Sequence, residues 1–237
     1  MANRAKSKPK LLIFDLDGTL IFSGGAGWRA YERIFIKNLK IENALAGVDG
    51  RGKTDIAIVE EAFQKRLERK PTRKELAGFF RAFPAILKKE VAQSSGYRLV
   101  GTIKDFLNKI SKLEGIYLAL GTGNLEKGAR IKLARSRLNR YFPVGGYASD
   151  SMIRKELINV AWKKACAYYR IRFPRRSVFV IGDTPLDIKA GKACRFKTVV
   201  IGCGMYKKKD LLPHKPDFFF DDYKDSEVWI QKLKLAQ

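Results

Sequence analysis

The first apolar run of the sequence ends in two aspartates two positions apart: residues 11–20 read LLIFDLDGTL. Strand side chains repeat every second residue, so Asp15 and Asp17 project to the same side and their carboxylates can share one site. Two neighbouring anions raise each other's pKa unless a cation or a division of labour relieves them. Gly18 lets the backbone approach a ligand closely, and Thr19 adds a hydroxyl. A plain Asp-Gly turn would also account for this stretch, but further motifs stand at other predicted strand ends. In GTGNLEKGAR, Thr122 and the backbone N–H groups that follow from Gly123 onward lie at a predicted helix start, which suits a phosphate-sized anion. Such a segment can also cap a helix with no ligand. In GDTPLD, Asp183 and Asp187 fall at the mouth of the same predicted sheet. Four carboxylates (Asp15, Asp17, Asp183, Asp187) on a chain of net charge +24 call for a hard divalent cation. Oxygen-only donors point to Mg2+.

The elements that must position these groups are apolar strands separated by helix-like segments. Strand-length runs occur at 10–14, 116–120, 177–181 and 197–201, with a weaker one near 144–148. Uniformly apolar strands alternating with helices indicate a doubly wound, Rossmann-like parallel α/β sheet, which binds ligands at the carboxyl ends of its strands. Residues 25–96 break this alternation with three predicted helices, 28–39, 54–69 and 72–91. In the second, Ile56, Val59, Phe63 and Leu67 form an apolar face. The glycine-containing stretches SGGAG and SSGYR bracket this region as hinges. The predicted organisation is an all-helical cap domain, residues 23–96, inserted into an α/β core of residues 1–22 and 97–237.

Composition narrows the function classes. A chain of 237 residues at 46% hydrophobic content is a soluble globular protein by default. Cys166, Cys194 and Cys203 are odd in number and widely spaced, which argues against a disulfide framework or a zinc site and fits a cytoplasmic setting. The basic start MANRAKSKPK resembles the first part of a signal peptide, but Asp15 cuts short the apolar stretch behind it. No membrane-length apolar segment is present. With His214 the sole histidine, in a late loop, Ser-His-Asp and phosphohistidine chemistry are disfavoured. The positive charge, densest from 127 to 176, would attract nucleic acid, anionic membrane or anionic small molecules. There AYYRIRFPRR interleaves aromatic and basic residues as single-strand binders do. A solvated basic surface is preferred, because charge runs usually lie at the surface. In DGRGKTD, Arg51 and Lys53 are either anion-facing specificity residues or a basic turn before a helix.

DLDGTL, GTGN and GDTPLD resemble, in order and spacing, three signature motifs of the haloacid dehalogenase superfamily. With GGAG, GRGKTD and LGTGNLEKGARIKL the chain is most similar to the phosphoglycolate-phosphatase-like branch with a helical cap. The resemblance implies that Asp15 is the nucleophile and Asp17 the general acid/base. It implies that Thr122 binds the phosphoryl group, and that Asp183 and Asp187 hold Mg2+ with Asp15 and the backbone carbonyl of Asp17. The remaining motif supplies a cation, usually lysine; SDSMIRKEL offers Arg154 or Lys155, and spacing favours Arg154. The implied activity is Mg2+-dependent hydrolysis of a small phosphorylated metabolite, a phosphoglycolate-like monoester, through an aspartyl-phosphate. A sugar-phosphate mutase of the same superfamily is the nearest alternative. From another class, a nucleic-acid-binding protein or a polynucleotide phosphatase would make use of the charge. The residues give no oligomeric state.

Overall fold

The computed structural model describes residues 8–236; the first seven residues of the basic N-terminal stretch lie outside the described residues. Strands β1 (Lys10–Phe14), β4 (Ile116–Gly121), β5 (Gly145–Gly146), β6 (Val178–Gly182), β7 (Lys197–Ile201) and β8 (Phe218–Phe220) form one sheet. Its order is β5-β4-β1-β6-β7-β8, and every pair is parallel. A parallel sheet requires crossovers that cover both faces, and β1 shows how its sequence meets that demand. Leu12 and Phe14 face a core shared with α4 (Ile103–Ile110), α5 (Glu126–Ala134) and α9 (Ser226–Lys232). Leu11 and Ile13 face a second core, built on α6 (Arg154–Tyr169) and α7 (Pro185–Ala193). A short α8 (Lys208–Leu211) follows β7.

Between the first two sheet strands in sequence lie β2 (Ile21–Ser23), α1 (Ala26–Leu39), α2 (Asp55–Leu67), α3 (Arg73–Gln93) and β3 (Tyr97–Leu99). The three helices bury a core of their own in which Tyr31, Phe35, Phe63, Phe79 and Phe83 pack ring against ring. Their starts follow from capping chemistry. The Thr54 hydroxyl accepts from the Ala57 N–H at the start of α2, and Thr72 with Glu75 forms a reciprocal capping box on α3. β2 and β3 pair antiparallel and tie the insertion to the sheet. There Gly24 (φ +61°) passes Gly96 so closely that a Cβ on Gly24 would lie 2.5 Å from the Gly96 carbonyl carbon, which excludes any larger residue.

Several expectations change. The small β2–β3 ribbon lies at the expected boundaries of the insertion: Ile21–Ser23 crosses the first and Tyr97–Leu99 begins at the second. β8 was not expected, because three phenylalanines between aspartates fall below the length that marks a strand. Near 144–148 only Gly145–Gly146 pairs with β4. The buried face of α2 is Asp55, Ile58, Val59, Ala62 and Phe63, whereas Ile56 and Leu67 are only half-buried. The helix is turned so that Asp55 meets the α/β core. In the AYYRIRFPRR stretch, Tyr169 and Phe173 pack against Tyr117, leaving Tyr168 exposed. Among the described residues no helix is long and apolar enough to cross a membrane.

Candidate active site

Sheet register brings the motifs together. Phe14 is level with Leu120 on one side and Ile181 on the other, so the chain leaves β1, β4 and β6 at one edge. Asp15, Thr122 and Asp183 meet there, all buried. The Asp15 N–H still donates to the Ile181 carbonyl, and three N–H groups, from Thr19, Leu20 and Ile21, then converge on the Leu16 carbonyl to turn the chain. The turn requires Gly18 at φ +81°, where an added Cβ would lie 2.3 Å from an Asp183 oxygen.

One oxygen each from Asp15, Asp183 and Asp187 lies within 4.8 Å of the others. Asp183 accepts from the Thr19 hydroxyl at 3.0 Å and the Met205 N–H at 2.6 Å. Asp187 uses one oxygen to cap α7, accepting from the Thr184 N–H and hydroxyl. Its other oxygen faces Arg154, whose Nη2 lies 2.6 Å from Asp187 and 2.8 Å from Asp15. Nη1 of Arg154 donates at 3.0 Å to the Gly52 carbonyl of the insertion.

The fourth carboxylate stands apart. Oδ2 of Asp17 accepts from Lys132 Nζ at 2.7 Å and Asn124 Nδ2 at 2.8 Å, so the side-chain cluster holds three carboxylates and not the expected four. Thr122 is fully buried, and its hydroxyl accepts from Asn124 Nδ2 at 2.9 Å. α5 begins only at Glu126. The N–H of Leu125 before it donates to Asp55 of the insertion. Gly123 lines the cavity, and its carbonyl accepts from the Asp55 N–H. Lys155 is exposed and faces a different groove; one step along α6 from Arg154, its side chain turns away from the carboxylates. Arg51 and Lys53 line the mouth of the cavity, but Arg51 is paired bidentately with Asp49 and Lys53 with Glu61.

The cavity has a volume of about 240 Å³ and is walled by Asp15, Asp17, Thr122 and Arg154 from the core and by Trp28, Tyr31 and Ile58 from the insertion. Burial pushes the Asp15 carboxyl up, Arg154 pulls it down and Asp187 pushes it up again, leaving it at about 6 against an ordinary 3.8. Burial also holds Asp183 well above the usual range, with Asp15 and Asp187 adding to it. Burial alone would lower Arg154, but Asp15 and Asp187 outweigh it and keep the guanidinium charged. Three carboxylates thus crowd one place where a single guanidinium reaches two of them, Asp15 and Asp187, and the excess negative charge among oxygen donors fits a hard divalent cation.

A testable pH dependence follows. An Asp15 pKa raised by folding favours the protonated native state. Its stabilising contribution, of order 3 kcal/mol, is complete below the unfolded value and is lost as pH rises through about 6. Without divalent metal, the melting temperature is expected to fall across that window. Mg2+ should raise it more at about pH 7 than at about pH 5, where protons compete. Equal shifts at both pH values would contradict the placement of the cation on these carboxylates.

Sequence reasoning missed Lys132 and Asp55. The available signal was that Lys132 shares a helical face with Gly128, Ala129 and Leu133, all buried.

Known proteins share this fold. The provisionally named pyrophosphatase PpaX of Caldanaerobacter subterraneus subsp. tengcongensis is 27% identical over 135 residues, 57% of either chain, so the match spans little more than half of that relative. A provisionally named phosphoglycolate phosphatase from Haemophilus somnus superposes with a TM-score of 0.70 at 20% identity, covering 96% of this chain and 100% of that one. A provisionally named β-phosphoglucomutase from Bacteroides vulgatus gives 0.68 at 21%, covering 97% and 91%. Both likenesses establish the α/β fold with its helical insertion. Residues 9–195, which carry every motif described above, match the haloacid dehalogenase-like hydrolases, and the chain belongs to that family.

Proposed function

We propose that the protein is a Mg2+-dependent phosphatase that hydrolyses a small phosphorylated metabolite, a phosphomonoester of about the size of phosphoglycolate, through an aspartyl-phosphate. The observation that carries this reading is the difference in surroundings between two carboxylates on one turn. Asp15 sits against Arg154 beside Asp183 and Asp187, whereas Asp17 is held by Lys132 and Asn124. A carboxylate oxygen of Asp15 attacks phosphorus in line, and the bond to the leaving oxygen breaks as Asp17 gives that oxygen a proton. Asp17 then takes a proton from water, whose oxygen attacks the same phosphorus and releases Asp15 and inorganic phosphate. Arg154 and the Thr122 hydroxyl are placed to offset charge on the phosphoryl oxygens. Asp15, Asp183 and Asp187, with the Asp17 backbone carbonyl, would hold Mg2+, which supplies further charge neutralisation when bound.

In this reading residues 23–96 act as a cap domain over a core of 1–22 and 97–237, excluding water from the cavity between them. A cytoplasmic setting suits the three free cysteines. The test is phosphate release from a panel of phosphorylated metabolites with Mg2+. Activity is expected to vanish on exhaustive chelation and to return with Mg2+ but poorly with Ca2+, which prefers more ligands and looser geometry. Full activity after chelation would overturn the metal assignment.

A further inference from the structure

We propose that Lys132 is a positioning residue for Asp17, and that the helical insertion completes this device through Asp55, which holds the backbone on both sides of Asn124. The proposal rests on the phosphatase reading above and adds to it the residues that hold the acid/base carboxylate in place.

Lys132 projects from α5 into the junction between core and insertion and is only 6% exposed. A buried ammonium is costly unless it is paired and hydrogen-bonded. Here Nζ donates to Asp17 Oδ2 and to Asn124 Oδ1, each at 2.7 Å. Asn124 in turn donates to the same Asp17 oxygen and to the Thr122 hydroxyl. Among the described residues, both hydrogen bonds to the Asp17 carboxylate therefore end on Oδ2. One oxygen is clamped by two donors, and Oδ1 is left to exchange a proton with a leaving group or a water. The clamp also joins Asp17 to Thr122, so the proton donor and the phosphate-side hydroxyl share one rigid network.

The insertion reaches the same network. At the start of α2, the Asp55 N–H donates to the Gly123 carbonyl and its Oδ2 accepts from the Leu125 N–H, each at 2.7 Å. Asp55 is buried, which pushes its pKa up, and the attraction of Lys132 opposes that. Asp55 thus grips the backbone on both sides of Asn124, the residue that clamps Asp17 together with Lys132. On the remaining side α1 contributes Gly27, where an added Cβ would lie 3.6 Å from Nζ. If the insertion moved away, the loop that carries Asn124 would lose both bonds to Asp55, Lys132 would gain water, and Asp17 would be held less firmly.

A positioning role predicts a loss that depends on the leaving group, which a general loosening of the fold does not. The first chemical step is measured by rapid quench with an alkyl phosphate, whose alkoxide needs a proton, and with p-nitrophenyl phosphate, whose phenolate does not. Lys132→Met is expected to slow the step by about 100-fold for the alkyl ester and by less than about 10-fold for the nitrophenyl ester. KM should change little, and Lys132→Arg should recover part of the loss. Asp55→Ala removes the acceptor for the Leu125 N–H and leaves the contact of Lys132 with Asp17 in place. It should show the same selective loss at about 3- to 10-fold, and it keeps the test available if Lys132→Met fails to fold. Equal losses on the two esters, or none on the alkyl ester, would overturn the role of Lys132. A selective loss in Lys132→Met with none in Asp55→Ala would overturn the part assigned to the insertion. If the unmodified protein hydrolyses neither ester, the phosphatase reading itself fails and the proposal falls with it.

Discussion

With p-nitrophenyl phosphate, Asp17→Asn is expected to release a burst of about one nitrophenolate per site and then stall as a phosphorylated protein. The phenolate leaves without a proton, so the first displacement goes on, but the second needs a base to activate water and the amide offers none. The substitution is nearly isosteric. The oxygen of the introduced amide can still accept from Lys132 and Asn124, the donors that hold Asp17. Asp15→Asn should instead show neither burst nor turnover, a loss of at least about 1,000-fold on any ester, because an amide is a poor nucleophile. With an alkyl phosphate both variants should be nearly inactive. The check is acid-stable phosphate on the protein after rapid quench. Steady turnover by Asp17→Asn with no accumulated phosphoprotein would show that the two carboxylates do not divide the work in this way.

The second large effect belongs to Arg154. Its guanidinium serves Asp15, Asp187 and the Gly52 carbonyl at once, from a side chain that is 9% exposed. Removing one partner of a buried ion network leaves uncompensated charge, here on carboxylates that already crowd one another. Arg154→Met is therefore expected to cost about 3–5 kcal/mol at neutral pH without divalent metal. For a chain of this size that is a fall of roughly 10 °C in melting temperature. Mg2+ should recover part of it by supplying positive charge to the same oxygens. Phosphatase activity should fall about 100-fold or more through the loss of a donor to the phosphoryl oxygens. Arg154→Lys should retain charge but not the fork that reaches three acceptors, and so fall in between. An unchanged melting temperature in Arg154→Met would mean that the three carboxylates do not depend on this cation.

The strands that build the site were legible because each is an uninterrupted apolar run buried on both faces, and the aspartates were legible because each follows such a run directly. Asp15 and Asp183 could be placed at one edge from sequence alone, since parallel strands end together. Lys132 was hidden for the opposite reason. It is one lysine in the basic helix EKGARIKLA; the face it shares with Gly128, Ala129 and Leu133 turns it inward, but only the three-dimensional placement of Asp17 and Asn124 shows what it holds. The face of α2 was misjudged because apolar spacing selects Ile56 and Leu67, while the helix instead turns the polar Asp55 inward to meet backbone groups of the core. Arg51 and Lys53 could be read from the sequence either as anion-facing residues or as a basic turn, and their pairing with Asp49 and Glu61 depends on loop geometry that no spacing rule encodes. β8 escaped notice because three residues carry too little pattern to separate a strand from a loop.

The central claim, two successive displacements with Asp15 as the intermediate carrier, is tested most directly by the stereochemistry at phosphorus. Each in-line displacement inverts configuration, so a phosphorothioate monoester made chiral at phosphorus with 17O and 18O and hydrolysed by the unmodified protein in ordinary water is predicted to yield chiral inorganic thiophosphate with net retention. Net inversion would mean that water attacks the substrate directly, and would contradict an aspartyl-phosphate on Asp15.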